Sequence, residues 1–183
     1  TQSADDFYGS AQMEAALNLD PNLAKAHCDY AIGLMELGNP QRAADHLRQA
    51  LRIDPGYVQA HSNLGISLCQ LGRLDEGMAE LREALRLDPN CVEAHFNLSI
   101  ALRELGRENE ARRHFEEALA LDPSRVDALA GWLDAYAATA GDDPDGEELR
   151  EAHRMAQWAL ERAPGRADLQ AAYARLLLLV PGE

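Results

Sequence analysis

Basic residues are scarce in this chain of 183 residues. Lysine and arginine together number 17 against 31 aspartates and glutamates, which gives a formal net charge of −14. Proteins that bind nucleic acid neutralise its phosphates with lysine and arginine, so this balance argues against a nucleic-acid partner. The charge favours a basic or a neutral partner, and it is also consistent with a charged surface that keeps the protein soluble.

Cysteines and long apolar segments are also few. Cys28, Cys69 and Cys91 are odd in number and lack the paired spacing of a disulfide or metal framework. The longest apolar run near the C-terminus, Leu176–Val180, is far shorter than the roughly 18 residues that a membrane helix needs. We therefore expect no membrane span, and reduced thiols in a cytoplasmic protein. No signal peptide is visible, although the start at Thr1 rather than Met leaves open a leader that has been removed.

The sequence motifs of catalysis are missing as well. There is no glycine-rich phosphate loop, no nucleophile elbow and no paired metal-ligand motif. The acidic stretch 141–146 is a poor calcium loop, because aligning Gly146 with the required glycine places Gly141 and Ala152 at two ligand positions. We interpret this stretch as an acidic turn. We predict that the chain is not an enzyme and holds neither a cofactor nor a metal.

Histidines recur once every 34 residues, at His27, His61 and His95. Packed helices lie about 8–10 Å apart, whereas zinc needs its nitrogen ligands at about 2.0–2.1 Å. A ladder with that spacing does not converge on one ion, so we interpret these side chains as packing residues. His46 and His114 occupy the same position of two repeats that lie 68 residues apart, so we expect them to form no cluster.

A 34-residue repeat organises the chain. Four prolines lie 34 residues apart, and each follows an aspartate; they are Pro21, Pro55, Pro89 and Pro123. Between them the pairs Ala-His and Leu-Gly also recur three times each. This period is typical of a solenoid built from helix-turn-helix units, in which each unit buries its apolar face against its neighbours. The sequence therefore predicts an all-α solenoid.

The period also predicts where the units lie within a single solenoid of residues 1–183. The helical stripe of the first full repeat is expected to bury Ala31, Leu34 and Leu37, and Gly38 is expected to end its first helix. Asn39 and Pro40 are expected to start the second helix. We predict the second helix of a partial repeat at 3–23, full repeats at 24–57, 58–91 and 92–125, a repeat with a seven-residue insertion at 126–166, and a final helix at 167–180.

These segments resemble the tetratricopeptide repeat. Residues 60–65 (AHSNLG) and 94–99 (AHFNLS) are most similar to the superhelix of O-linked N-acetylglucosamine transferases and related bacterial arrays. The chain departs from that pattern in carrying histidine where a tryptophan is usual. The resemblance implies a right-handed superhelix whose first helices line a concave groove, and it implies a protein-binding role.

The resemblance also selects candidate groove residues. On the first helices, Cys28, Ser62 and Ala130 are expected to turn into the groove together with an apolar strip and two amides. Asparagine both donates and accepts hydrogen bonds, so Asn63 and Asn97 can pair with the backbone of an extended peptide, or else bond within their own repeats. The predicted peptide-binding residues are Asp29, Ile32, Met35, Asn63, Ile66, Phe96, Asn97, Ile100 and Arg103.

The most favoured function is a protein–protein interaction scaffold that binds a basic or apolar peptide, or a partner helix, in this groove. The alternative is a substrate-recruiting arm of a larger enzyme, such as a glycosyltransferase, with catalysis on sequence outside this chain. Self-association through Leu176–Val180 is a third expectation, because an apolar end is a poor cap for a solenoid. The acidic groove residues that favour a basic ligand are Glu36, Glu93, Glu104, Asp127 and Asp134.

Overall fold

The computed structural model of the chain describes residues 23–139 and 147–178. Within these ranges every regular element is an α-helix and no β-strand occurs, so the predicted all-α class is confirmed. The described helices, numbered α1 to α9 in order, are Ala24–Glu36, Pro40–Ile53, Val58–Gln70, Leu74–Leu87, Val92–Glu104, Glu108–Leu121, Val126–Thr139, Glu147–Arg162 and Ala167–Leu177.

The helices belong to two compact units, Thr1–Ala94 and His95–Glu183. In the first unit, α1 packs on α2, α3 packs on α4, and α3 also packs on both α1 and α2. In the second unit, α7 packs on α6, α8 and α9. The helix predicted at 3–23 and the acidic turn at 141–146 lie outside the described residues, apart from residue 23.

Leu-Gly pairs end the first helices as the sequence predicts. Gly38 has a φ of +71°, a left-handed conformation that glycine adopts without the steric cost of a Cβ atom. The N–H of Asn39 donates to the carbonyl of Leu34 at 2.8 Å, and that of Gly38 donates to Met35 at 2.9 Å. These two bonds satisfy carbonyls that the helix end leaves open. The same pair of bonds recurs at Gly72 and Gly106.

Short polar turns start and end the second helices. Asn39 caps α2 by accepting the N–H of Arg42 at 3.5 Å, and Pro40 occupies the first turn, as predicted. At the other end, the Asp54 carboxylate accepts the N–H of Gly56 at 3.0 Å. Such a bond from the side chain to the backbone two residues on closes the turn, which explains why an aspartate precedes the repeated proline.

Apolar side chains between the helices form the core of the first unit. Ala31, Leu34, Ala43 and Leu47 are buried, in agreement with the predicted helical stripe. The prediction for Leu37 is wrong, since its side chain is 37% exposed. The reason is that α1 ends at Glu36. The prediction assumed that the helix continues to Leu37, which instead follows its last residue.

Candidate functional site

The predicted groove residues of α1 lie at the margin of the core. Ile32 and Met35 are half-buried and pack against the buried cluster of the first unit. Asp29 accepts a hydrogen bond from Lys25 Nζ at 2.8 Å, and this pair lies on the surface. The α1 face therefore offers two partly exposed apolar side chains beside a neutralised ion pair.

Asn63 of α3 is half-buried and contacts the neighbouring repeat. Its Nδ2 donates to the sulfur of Cys28 at 3.7 Å, which is a weak hydrogen bond. Burial raises the pKa of the Cys28 thiol, and hydrogen bonds from Asn63 and Tyr57 offset part of that rise. The bond to sulfur uses the amide nitrogen of Asn63, which leaves its carbonyl oxygen as an acceptor. Ile66, one turn further along α3, is also half-buried.

A cavity of about 500 Å³ lies beside Asn63, at the beginning of α3. All of its lining residues belong to the first unit. They come from the turn before α3, from the first turns of α3, and from the residues that begin α5. The lining is Asp54, Gly56, Tyr57, Val58, Gln59, Ser62, Asn63, Cys91 and Glu93.

The polar groups that line this cavity differ in their hydrogen-bond partners. The Tyr57 hydroxyl donates to Gln59 Oε1 at 3.4 Å, and burial raises the pKa of Tyr57. Burial also raises the pKa of the Cys91 thiol, while the Ala94 N–H and the Ser62 hydroxyl offset part of that rise. Both thiol and phenol are therefore protonated near neutral pH. The Ser62 Oγ is buried, and beyond this weak interaction with the thiol it has no hydrogen-bond partner within the described part of the chain.

The predicted groove residues of the second unit differ in their burial and in their contacts. Phe96 is half-buried, with its ring centroid 6.0 Å from that of Phe115 and the guanidinium of Arg125 4.4 Å above it. Such a placement is a cation–π contact. Asn97 is half-buried, and Ile100 is 37% exposed.

Arg103 of α5 pairs with an acidic residue that was itself predicted to attract a basic ligand. Its Nη2 lies 3.5 Å from Asp134 Oδ2, and Arg175 Nη1 contacts the other oxygen of the same carboxylate. Asp127 similarly pairs with Arg125 Nε at 3.3 Å. Because these cations offset two of the predicted charges, the preference for a basic ligand is weaker in the second unit than the sequence suggests.

Three positions predicted to turn into the groove are buried instead. They are Cys28, Ser62 and Ala130. In the first unit the reason is that α1 and α3 pack against each other, so the side of α1 that carries Cys28 is covered by α3. A helical phase alone does not distinguish the open face of a first helix from the side that contacts the next repeat.

The recurring histidines are paired within their hairpins, which the sequence analysis missed. Nδ1 of His27 lies 3.0 Å from Nδ1 of His46, and His95 and His114 repeat this geometry at 3.0 Å. In the middle hairpin, His61 Nδ1 lies 2.7 Å from Glu80 Oε2. A constant separation of 19 residues links each pair and was visible in the sequence. Two side chains supply fewer ligands than the three or four of a zinc site.

The apolar C-terminal segment is only partly available for contacts with another molecule. Leu176 is buried within the second unit, whereas Leu177 and Leu178 are exposed, the latter by 85%. Leu179 and Val180 lie outside the described residues. The predicted self-association surface therefore loses Leu176.

Residues 23–139 and 147–178 lack both a membrane-spanning helix and a metal-binding cluster. None of these helices combines the length and the apolar character needed to cross a bilayer. The same ranges contain no group of three or more histidine, cysteine, aspartate or glutamate side chains that could hold a metal ion.

The cavity includes three residues that the sequence did not lead us to place at the groove, namely Asp54, Tyr57 and Cys91. These three lie in the turns before the first helices, whereas Gln59 and Glu93 lie on the first helices themselves. Tyr57 and Cys91 are 34 residues apart and occupy the same phase of successive repeats. A comparison of the positions just before each first helix could have identified this pair.

Family models support the repeat interpretation. Models of the tetratricopeptide repeat match residues 34–99 and residues 92–125, which together make up about half of the chain. A comparison with curated protein sequences gave no match.

Solved structures share the fold. PilW, a widely conserved type IV pilus biogenesis factor, is 24% identical with a TM-score of 0.79, covering 96% of this chain and 78% of PilW. YrrB, described as a TPR protein with an unusual peptide-binding site, is 24% identical with a TM-score of 0.68, covering 93% of this chain and 84% of YrrB. A mutant O-GlcNAc transferase from Thermobaculum terrenum is 26% identical with a TM-score of 0.67, covering 76% of this chain but only 26% of the enzyme.

Proposed function

Since the chain belongs to the tetratricopeptide repeat family, we propose that it is a protein–protein interaction scaffold whose first helices bind a peptide or a partner helix. The fold is that of interaction scaffolds, and YrrB is described as having a peptide-binding site. The observation that carries the proposal is the placement of Asn63, whose side chain lines a cavity of about 500 Å³.

Two kinds of contact would hold the ligand. Half-buried apolar side chains such as Ile32, Met35 and Ile66 lose their remaining water contact when a ligand covers them, which is favourable. The amide oxygen of Asn63 accepts a backbone N–H whatever the ligand sequence. In the second unit, Phe96 and Ile100 supply apolar contacts of the same kind, beside Asn97 and Arg103.

Peptide selection followed by mutagenesis tests this function. Peptides are selected from a displayed library, labelled, and measured by fluorescence anisotropy against the wild type and against a variant with Asn63→Ala and Asn97→Ala. We expect the double variant to bind roughly thirtyfold more weakly, because two lost hydrogen bonds of about 1 kcal/mol each amount to about 2 kcal/mol. Its helicity should remain that of the wild type by circular dichroism.

The matched control for this experiment is Asn109→Ala. Asn109 is an exposed asparagine on α6, a second helix, so its removal should leave peptide affinity unchanged. Equal affinity of the wild type and the double variant would refute the role of the two amides.

A second candidate function is a substrate-recruiting arm of a larger enzyme. The similarity to the O-GlcNAc transferase favours it, because the aligned 76% of this chain covers only 26% of that enzyme. Sequencing the gene on both sides of this segment separates the two candidates. A transferase domain in the same reading frame supports the arm, and flanking sequence without a catalytic domain supports the free scaffold.

Self-association is compatible with either candidate and rests on the exposed end of α9. If Leu177 and Leu178 mediate it, Leu178→Glu should lower the mass measured by light scattering to that of a monomer. Leu121→Glu, at an exposed leucine that ends α6, is the control and should not change the mass. A monomeric wild-type protein would exclude this contact.

A further inference from the structure

The cavity of the first unit is lined mainly by hydrogen-bond acceptors. Asp54 and Glu93 contribute carboxylates, and Asn63 contributes the amide oxygen that remains after its nitrogen donates to Cys28. Gln59 Oε1 also accepts, from the Tyr57 hydroxyl. A ligand that matches this lining must bring several donors.

Ser62 is the buried hydroxyl of the cavity lining. Its side chain is only 2% exposed, and beyond its weak interaction with the Cys91 thiol its Oγ has no hydrogen-bond partner within the described residues. A buried hydroxyl without a partner costs free energy, and a ligand that supplies a partner recovers it. The adjacent Cys91 thiol is a weak partner because burial keeps it protonated.

The charge of the cavity has one sign. Neither lysine nor arginine lines it, whereas Asp54 and Glu93 do. Lys25 of α1 acts on Tyr57, but it is held by Asp29 at 2.8 Å. The start of α3 contributes a partial positive charge, but this is about half an elementary charge, less than one carboxylate. The charged side chains of the lining therefore favour a cation.

We propose that this cavity binds the arginine side chain of a bound peptide, a refinement that rests on the proposed function. A guanidinium carries five N–H donors in a planar fork, which suits acceptors on several walls. Its flat face can lie against the Tyr57 ring, which lines the site. The volume of about 500 Å³ also admits the peptide atoms next to that side chain.

A small probe tests the site directly. The amide N-acetyl-arginine N-methylamide is titrated into the protein while backbone amide signals are followed by NMR. The lysine, citrulline and glutamate counterparts serve as comparison probes. We expect saturable shifts of Tyr57, Gln59 and Ser62 with the arginine probe and severalfold weaker binding of uncharged citrulline. Shifts confined to other helices, or a glutamate probe that binds as tightly, would overturn the proposal.

Matched aspartates isolate the charge. Asp54→Asn keeps the turn, because asparagine can also accept the Gly56 N–H, and should weaken the arginine probe about tenfold. Asp122 closes the same turn two repeats later by accepting the Ser124 N–H at 3.1 Å, and it does not line the cavity. Asp122→Asn should leave probe affinity unchanged. Equal effects of the two variants would contradict a local charge contact.

Matched serines isolate the buried hydroxyl. Ser62 and Ser67 both lie on α3, and in the described ranges neither buried Oγ has a hydrogen-bond partner beyond the weak interaction of Ser62 with the Cys91 thiol, but only Ser62 lines the cavity. We expect each change to alanine to raise the unfolding temperature, since it removes an unsatisfied group. Only Ser62→Ala should weaken the arginine probe, by about fivefold. A Ser62→Ala protein that binds the probe as the wild type does would overturn the assignment of this hydroxyl.

The experiments distinguish a failure of the arginine site from a failure of the scaffold function. If selected peptides bind with the expected dependence on Asn63 and Asn97 while the arginine probe leaves the cavity signals unmoved, the arginine site is wrong and the scaffold stands. If selected peptides bind no more tightly than scrambled ones, the scaffold function itself fails.

Discussion

The hairpins α1–α2 and α3–α4 are two versions of one repeat with different interiors. Both end their first helix at a left-handed glycine, and both close with an aspartate-proline turn. Where α1 and α2 cross, the small residues are Ala31 and Ala43; one repeat later they are Gly65 and Gly77. The shared ends and different interiors show that the turns define the repeat, while the crossing residues set how closely its helices approach.

The glycine crossing is tighter than alanine allows. A Cβ atom added to Gly65 would lie 2.9 Å from the carbonyl oxygen of Gly77, and one added to Gly77 would lie 2.7 Å from that of Gly65. Both alanines of the first hairpin are buried with their methyl groups in place. The helices α1 and α2 must therefore be further apart at this level than α3 and α4.

The largest expected effect comes from filling the tight crossing. Gly77→Ala places a methyl group 2.5 Å from the sulfur of Cys69 as well as against the backbone of α3, so we expect it to destabilise the protein by about 1–3 kcal/mol. Thermal and urea unfolding followed by circular dichroism measure this change.

Gly33→Ala is the control from the other hairpin. Gly33 lies within α1, and a Cβ atom there meets nothing within 4 Å. This change should stabilise the protein by roughly 0.5–1 kcal/mol, because alanine is the better helix former. A Gly77→Ala protein as stable as the wild type would show that the two hairpins pack alike.

The repeat architecture was predictable because its signals are local. The glycine after Leu37 and the aspartate before Pro55 act through their own backbone, so the sequence alone identifies where hairpins turn. The same information does not say which side of a helix meets the next repeat. That contact buries Cys28, which a helical phase assigned to the open face.

The candidate site was less predictable than the fold. Asn63 was selected from its phase, but the cavity beside it depends on Tyr57 and Cys91, which precede successive first helices and meet only in three dimensions. The compensation of Asp134 by Arg103 and Arg175 likewise joins helices distant in sequence. Charges counted along a chain do not reveal such pairing.

An intermediate effect is expected at the histidine of each hairpin. His61 lies between two oxygen atoms, with Glu80 Oε2 at 2.7 Å from its Nδ1 and the Pro55 carbonyl at 3.0 Å from its Nε2. His27 instead faces another imidazole, with Nδ1 of His46 at 3.0 Å from its own Nδ1. Hydrogen bonds to charged groups are stronger than neutral ones.

The two histidine pairs can be compared by matched substitutions. Glu80→Gln should destabilise the protein by about 1–2 kcal/mol, since it replaces the carboxylate that contacts the His61 ring by an amide. His46→Gln should cost about 0.5–1 kcal/mol, because the contact that it replaces joins two imidazole rings and no carboxylate. Chemical unfolding of both variants checks the order, and a reversed order would contradict the larger contribution assigned to the carboxylate.

The smallest effect is expected at the start of the second helices. A fork of two hydrogen bonds, at 2.8 and 2.6 Å, joins Arg73 to Glu76 at the start of α4, where α2 uses the Asn39 cap. Arg73 lowers the pKa of Glu76 below its usual value. This pair therefore stabilises the fold above the unfolded-state pKa of about 4.3, and the contribution is lost as the pH falls through the lowered folded-state value.

Acid unfolding tests this pair. Glu76→Gln should reduce the drop in unfolding temperature between about pH 5 and pH 3, by a small amount because the pair is exposed. Asp75→Asn removes a neighbouring carboxylate from the same turn and is the matched control. If both variants change the acid profile equally, the effect belongs to net charge and not to the Arg73–Glu76 pair.

The most direct test of the central claim is an amide-shift map of the protein with a selected peptide bound. The claim is that first helices carry the ligand. It predicts that the largest shifts fall on α1, α3 and α5, including Asn63, with little change along α2, α4 and α6. Largest shifts on those second helices would contradict it.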